Sequence, residues 1–117
     1  MSISIIPLKG EVPVEEAAPA ADRLLAGNPH QRIWNFFSDR TGQFHAGRWS
    51  STIGRWRVHY TENELCVLTA GRIALQGAAG ERLEFAAGDA FIVPAGFEGT
   101  WEVLEACSKI YAIFQAG

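Results

Sequence analysis

Cysteine is scarce in this chain, and its spacing removes whole classes of architecture. Of 117 residues only Cys66 and Cys107 are cysteine. They stand far apart, with no CxxC and no set of four or six, so neither a disulfide scaffold nor a thiolate zinc site is expected. Both are read as reduced thiols. Long apolar runs are missing too, since nothing approaches the roughly 18 consecutive apolar residues of a membrane-spanning helix. The opening Met1-Ser2-Ile3-Ser4-Ile5-Ile6-Pro7 has neither a basic region nor a long apolar one, unlike a secretory leader. No membrane partner is expected, and the cytoplasm is the expected location. Basic excess is absent: 10 Lys and Arg face 13 Asp and Glu, a formal net charge of −3. Trp49 and Trp56 do interleave with Arg48, Arg55 and Arg57, a mixture that single-stranded nucleic acid can use. Without a whole-protein basic field no nucleic-acid partner is expected. Uninterrupted helix-length segments are lacking as well. Nine of the 12 glycines fall between Gly42 and Gly99, which rules out a bundle of long helices.

What remains is a chain with 48% hydrophobic and 20% charged residues, suited to one ordered domain. Four of the five prolines (Pro7, Pro13, Pro19, Pro29) come before residue 30 and mark residues 1–30 as an N-terminal arm. Within it a short strand over Ser2–Ile6, an extended piece over Lys9–Pro19 and one or two helical turns over Ala20–Ala26 are predicted, with Pro19 near the start of the turns and Gly27 at their end. From residue 31 to 117 the texture becomes short β-type runs. They are Arg32–Phe37, Phe44–Ser50, Arg55–Thr61, Leu65–Ala70, Arg72–Gln76, Arg82–Phe85, Ala90–Val93, Thr100–Leu104 and Lys109–Phe114. Turn signals about every 8–12 residues point to an all-β sandwich or barrel. Gly88-Asp89 reads as a turn with an Asx cap.

Charge is divided along this barrel. Residues 31–60 carry five Arg against Asp39 alone, while residues 61–117 carry three basic side chains against eight acidic ones. Antiparallel packing of the two halves is expected to offset much of this. Ala90–Val93 and Ile110–Phe114 are apolar on both faces, so a second surface must cover one of them, and a homodimer is expected.

Alternation along strands sorts the candidate side chains. Glu64 shares a face with Cys66 and Leu68, and is either a pocket carboxylate or a solvated strand end. Lys109 shares a face with Tyr111 and Ile113. Turned inward it could neutralise Glu64, bind an anion or, with a pKa lowered by burial, act as a base; turned outward it snorkels to water. Arg57 and His59 lie on one face, and Trp56, Val58 and Tyr60 on the other. Trp101 either stacks on a planar ligand or fills the core. His45 is a reserve metal ligand only if its strand faces inward.

The stretch Gly54-Arg55-Trp56-Arg57-Val58-His59-Tyr60-Thr61-Glu62-Asn63-Glu64, followed by six residues and Gly71, resembles the first cupin motif. Gly88-Asp89 with Pro94-Ala95-Gly96 resembles the opening of the second. Gly47-Arg48-Trp49, Gly99-Thr100-Trp101-Glu102-Val103 and Lys109-Ile110-Tyr111 are similar to the small single-domain branch that includes ureidoglycine aminohydrolase domains and the ethanolamine-utilisation cupin. The resemblance implies a double-stranded β-helix, the cupin jelly roll, with a ligand pocket in the barrel mouth. It also implies that Glu64, Arg57 and His59 point inward together. Two of the family's four metal ligands are replaced here, by Arg57 and Gly99, so no metal and no cofactor are expected. The function implied is binding of a small polar nitrogenous or carboxylated metabolite. Glu64 and Lys109 are the candidate acid/base pair for a hydrolytic or isomerising reaction; Arg57, His59, Tyr60, Trp101 and Tyr111 are the substrate-binding candidates. Two alternatives stand beside it: a metal enzyme using His59 and Glu64, and a non-catalytic ligand-binding or sensory dimer.

Overall fold

Each β-run predicted from residue 31 onward becomes a strand, but two neighbouring pairs fuse. The computed structural model describes residues 4–117. Its strands are β1 (Glu15–Ala17), β2 (Leu24–Gly27), β3 (Gln31–Ser38), β4 (Phe44–Ser51), β5 (Gly54–His59), β6 (Asn63–Gly77), β7 (Arg82–Ala86), β8 (Ala90–Val93) and β9 (Glu98–Phe114). The fusions are β6 and β9, and Gly71 explains the first. It sits where the register of β6 on β9 shifts, with φ of 83°, a left-handed conformation that only glycine adopts cheaply. A Cβ there would run into the Ala106 carbonyl and the Cys107 Cα. The chain therefore bends at Gly71 without leaving the sheet.

That bend divides the molecule. Before it, β6 pairs with β8 and with the Lys109–Phe114 end of β9, which continues through β4 and β3 to β1. Beyond it, β6 pairs with β7 and with the Gly99–Val103 part of β9, which continues through β5 to β2. All pairings are antiparallel, and the two long strands run through both halves. The result is the expected all-β cupin jelly roll.

The N-terminal expectations fare unevenly. Ser2 and Ile3 lie outside the described residues, and Ser4–Ile6 form no strand. The helical turns expected over Ala20–Ala26 are reduced to one turn, in which Arg23 and Leu24 N–H donate to the Ala20 carbonyl. Leu24–Gly27 is instead β2, the edge partner of β5. Seven residues between Pro19 and Gly27 are too few to hold a helix alone, and pairing with β5 satisfies their backbone. No helix among the described residues is long and apolar enough to cross a membrane.

The core lies between the two halves. Cys66, Leu68, Ile73, Val93, Trp101 and Val103 are its most buried side chains, and Cys66 and Cys107 are free thiols. Trp101 is its centre, 5.8 Å from Trp49, 6.5 Å from Trp56 and 6.1 Å from Phe91 between ring centroids. The turn at Gly88-Asp89 is closed by the Asp89 N–H donating to the Ala86 carbonyl, while Asp89 Oδ2 accepts backward from the Ala86 N–H rather than forward as an Asx cap would.

Candidate functional site

A cavity of about 560 Å³, open to solvent, is lined by positions of β1, β3, β4, β5, β6 and β9. Counted by twos, the same face runs through Trp56, Val58 and Tyr60, continues through the turn to Glu62, and meets Glu64 on β6. β9 supplies Trp101, Lys109 and Tyr111.

Glu64 and Lys109 meet inside it. Lys109 Nζ lies 2.8 Å from Glu64 Oε2, and each residue is only 5% exposed. Glu64 is in register with Ile113 and Lys109 with Leu68, so the lysine side chain reaches along the sheet to the carboxylate. Its ammonium also lies 4.6 Å from the Trp49 ring centroid and 4.4 Å from that of Trp101, within cation–π range. Cys66 Sγ accepts from Nζ at 3.6 Å. Burial is the largest single influence and presses Lys109 to lose its proton, but the Glu64 carboxylate, Cys66 and Cys107 together hold the pKa above the ordinary lysine value. This direction is opposite to that of a lysine base with a lowered pKa, and it favours a charged ammonium beside Glu64. Burial, then the Glu64 charge, push the Tyr60 phenol well above its usual range, so it stays protonated. Burial raises the Cys66 thiol to about 12.

A second polar group lines the cavity, and sequence reasoning did not assemble it. The Tyr111 hydroxyl donates to Asn35 Oδ1 at 2.7 Å, and Asn35 Nδ2 donates to Ser38 Oγ at 2.9 Å. Ser38 Oγ is 2.7 Å from His45 Nδ1, and His45 Nε2 is 3.0 Å from the Gly42 carbonyl. A carbonyl only accepts, so Nε2 carries a proton, and in the neutral imidazole Nδ1 accepts from Ser38 and the chain runs in one direction. Gly47 makes this possible, because a Cβ there would collide with the Tyr111 hydroxyl and the Trp34 carbonyl. The one signal in the sequence was Asn35 alternating with Gln31 and Ile33 on a strand.

Arg57 and His59 do not join the cavity, contrary to the expectation from the motif. Alternation places Trp56, Val58 and Tyr60 inside, so the odd-numbered residues of β5 face outward. Arg57 Nη2 donates to the Asp22 carbonyl at 2.6 Å, and His59 Nδ1 is 3.5 Å from Glu98 Oε1. Both line a separate groove on the outer face. Trp101 fills the core at 2% exposure and also forms part of the cavity wall. Its indole Nε1 is the one buried side-chain polar atom without a hydrogen-bond partner among the described residues.

The donor set does not fit a metal. A catalytic metal takes about three protein ligands, and among the described residues no three His, Cys, Asp or Glu side chains are grouped to hold one. His59 points away, Gly99 brings no ligand, and both nitrogens of His45 are engaged within the protein. Glu64 already carries a cation, the Lys109 ammonium.

Comparison with known proteins agrees with this fold. The model of the EutQ-like cupin domain matches residues 38–111, more than half of the chain. A DUF861-family protein of unknown function from Pseudomonas syringae superposes with a TM-score of 0.79 at 25% identity, over 87% of this chain and 44% of its own. The EutQ protein of Clostridium difficile gives a TM-score of 0.67 at 13% identity, over 75% of this chain and 64% of its own. Ectoine synthase from P. lautus gives 0.64 at 10% identity, over 72% and 63%; at such identity the likeness is one of fold. This chain thus spans less than two thirds of the length of each of these three structures. No curated protein matches it by sequence. Motif, barrel and family model converge, and the chain belongs to the EutQ-like cupin domain family.

Proposed function

We propose that the cavity binds a small polar, nitrogen-bearing metabolite and that Glu64 and Lys109 exchange protons or hydrogen bonds with it without a metal. The observation that carries this reading is a buried ion pair lining a cavity large enough for a metabolite. Such a pair is a poor source of net stability, because desolvation of both ions opposes their attraction. Its placement beside a cavity favours use in binding. With one N–H on Glu64 Oε2 and one on Cys66 Sγ, the Lys109 ammonium keeps one N–H for a ligand oxygen, and Glu64 Oε1, in neither contact, can accept from a ligand N–H. Donor and acceptor side by side suit an amide, ureido or amino group, and suit a hydrolytic or isomerising proton transfer in which Glu64 accepts and Lys109 stabilises developing negative charge. Glu15 and Glu62 also line the cavity, and neither is in an ion pair among the described residues, which favours nitrogenous over carboxylated ligands.

A thermal-shift and turnover screen with ureido, amino and keto compounds tests this, since a ligand of the folded state raises apparent stability. Glu64→Gln is expected to abolish the response. The charge-neutral pair Glu64→Gln with Lys109→Met should fold and also fail to respond. A folded Glu64→Gln protein that binds and reacts unchanged overturns the assignment.

We also propose a homodimer through the outer face of the β8–β6–β9 sheet. There the exposed Ile92 is in register with Leu65, itself exposed, and Leu65 with Ala112. An apolar row of this kind marks an interaction surface. Light scattering should give twice the chain mass; the mass of one chain removes the proposal.

A further inference from the structure

The groove that holds Arg57 and His59 has an unusual charge balance. About 400 Å³ in volume, it runs over the outer face of β5 and β9 and includes Arg23, Arg55, Arg57, His59 and Glu98. Antiparallel packing was expected to offset much of the positive charge of residues 31–60, yet Arg55 and Arg57 gain no carboxylate partner among the described residues. The acidic half is answered mostly from within: Arg72 pairs with Glu84 and Glu105, and Arg82 with Glu84 and Glu102. Glu98 is matched with His59 at 3.5 Å. Glu102, in register with Arg55, is taken by Arg82 at 3.2 Å. Arg23, Arg55 and Arg57 are consequently in no ion pair among the described residues.

Three arginines without carboxylate partners, in one groove of a chain with net charge −3, are not a generic basic surface. The Arg57 guanidinium is positioned by its bond to the Asp22 carbonyl at 2.6 Å, and the Arg57 N–H donates to the Arg23 carbonyl at 2.9 Å. β2 and its preceding turn are thereby tied to β5, and the guanidinium-bearing segments are held side by side. We infer that this groove is a second ligand site, separate from the cavity, which binds a small anion through a phosphate or phosphate-ester group. The guanidinium fork matches phosphate oxygens two at a time. The acidic remainder of the protein disfavours a long polyanion, and so restricts the site to a small one.

The probe is inorganic phosphate, added at constant ionic strength while backbone amides are followed by NMR. Saturable shifts in the millimolar range are expected at Arg57, His59, Gly99 and Thr100, with those of Glu64 and Lys109 unmoved. Arg55→Gln with Arg57→Gln should weaken binding at least about tenfold, the scale of two lost charge-assisted contacts. Arg23→Gln, at an exposed position that leaves the Asp22 contact intact, should weaken it about threefold. Three results would overturn the inference: no saturable shift with phosphate, the same shifts with chloride, or unchanged affinity in the double variant. Nuclear resonances of the groove report folding in each variant, so a null result cannot be confused with loss of structure.

Discussion

Replacing Glu64 by Gln removes one charge of the buried pair and nearly nothing of its volume. At 2.8 Å, two unit charges attract by about 6 kcal/mol for an effective dielectric constant of about 20. Part of that offsets desolvation, and breaking such a pair typically costs about 3–5 kcal/mol because the partner is left buried and unmatched. For a domain of this size that corresponds to a fall in Tm of roughly 12–20 °C. Urea or thermal unfolding followed by tryptophan fluorescence measures it, the four tryptophans including two, Trp49 and Trp101, packed against the ammonium. The double variant Glu64→Gln with Lys109→Met should recover most of the loss, giving a large coupling energy in the cycle. The pH dependence provides the sharper sign. In the parent protein the Lys109 pKa is raised, so its contribution is complete below the ordinary lysine value of 10.5 and is lost as pH rises through the folded one. In Glu64→Gln the burial that opposes charge is no longer countered by a carboxylate, and the folded pKa falls below the unfolded one. The unfolded chain then binds more protons between the two, so stability should rise with pH there. A loss smaller than about 1 kcal/mol, the range of exposed pairs, or a variant whose stability does not rise with pH, would refute the reasoning.

Two further outcomes follow from burial and backbone geometry. Cys66 and Cys107, with thiols raised by burial to about 12 and about 11, should resist a thiol reagent at neutral pH until the protein unfolds; the same shifts, from 9.0, make stability decline as pH climbs above 9, where only the unfolded chain readily gives up its thiol protons. Fast labelling of the native protein would contradict this. Gly71→Ala should cost about 1–3 kcal/mol from the left-handed backbone alone, with more from the approach of Ala106, measurable by urea unfolding; a neutral effect would mean that β6 does not bend there.

The strands were legible because turn residues punctuate them, and because a period of two needs few residues to declare itself. Their fusion was not, since Gly71 reads as a break until the facing backbone of β9 is seen to hold both sides of it. Glu64 and Lys109 could be named as inward candidates from their strand faces, but the sign of the lysine shift depends on a distance that no sequence states. Arg57 and His59 show the opposite case. The alternation that separated them from Trp56, Val58 and Tyr60 was correct, and the family motif then assigned the wrong face to the interior. Counting by twos from Glu64 back through the turn places Tyr60, Val58 and Trp56 inside. Asn35, Ser38 and His45 converge from two strands joined by a turn, and only the register of β3 on β4 brings Ser38 opposite His45.

The decisive measurement is the protonation state of Lys109 itself, read from the NMR shifts of its ε-methylene and Nζ across the alkaline range in the parent protein and in Glu64→Gln. A site built on a fixed ammonium paired with Glu64 predicts a charged Lys109 through neutral pH and beyond 10.5, with a titration displaced downward once Glu64 is replaced. A neutral Lys109 at pH 7, or a titration that ignores the loss of Glu64, would contradict it.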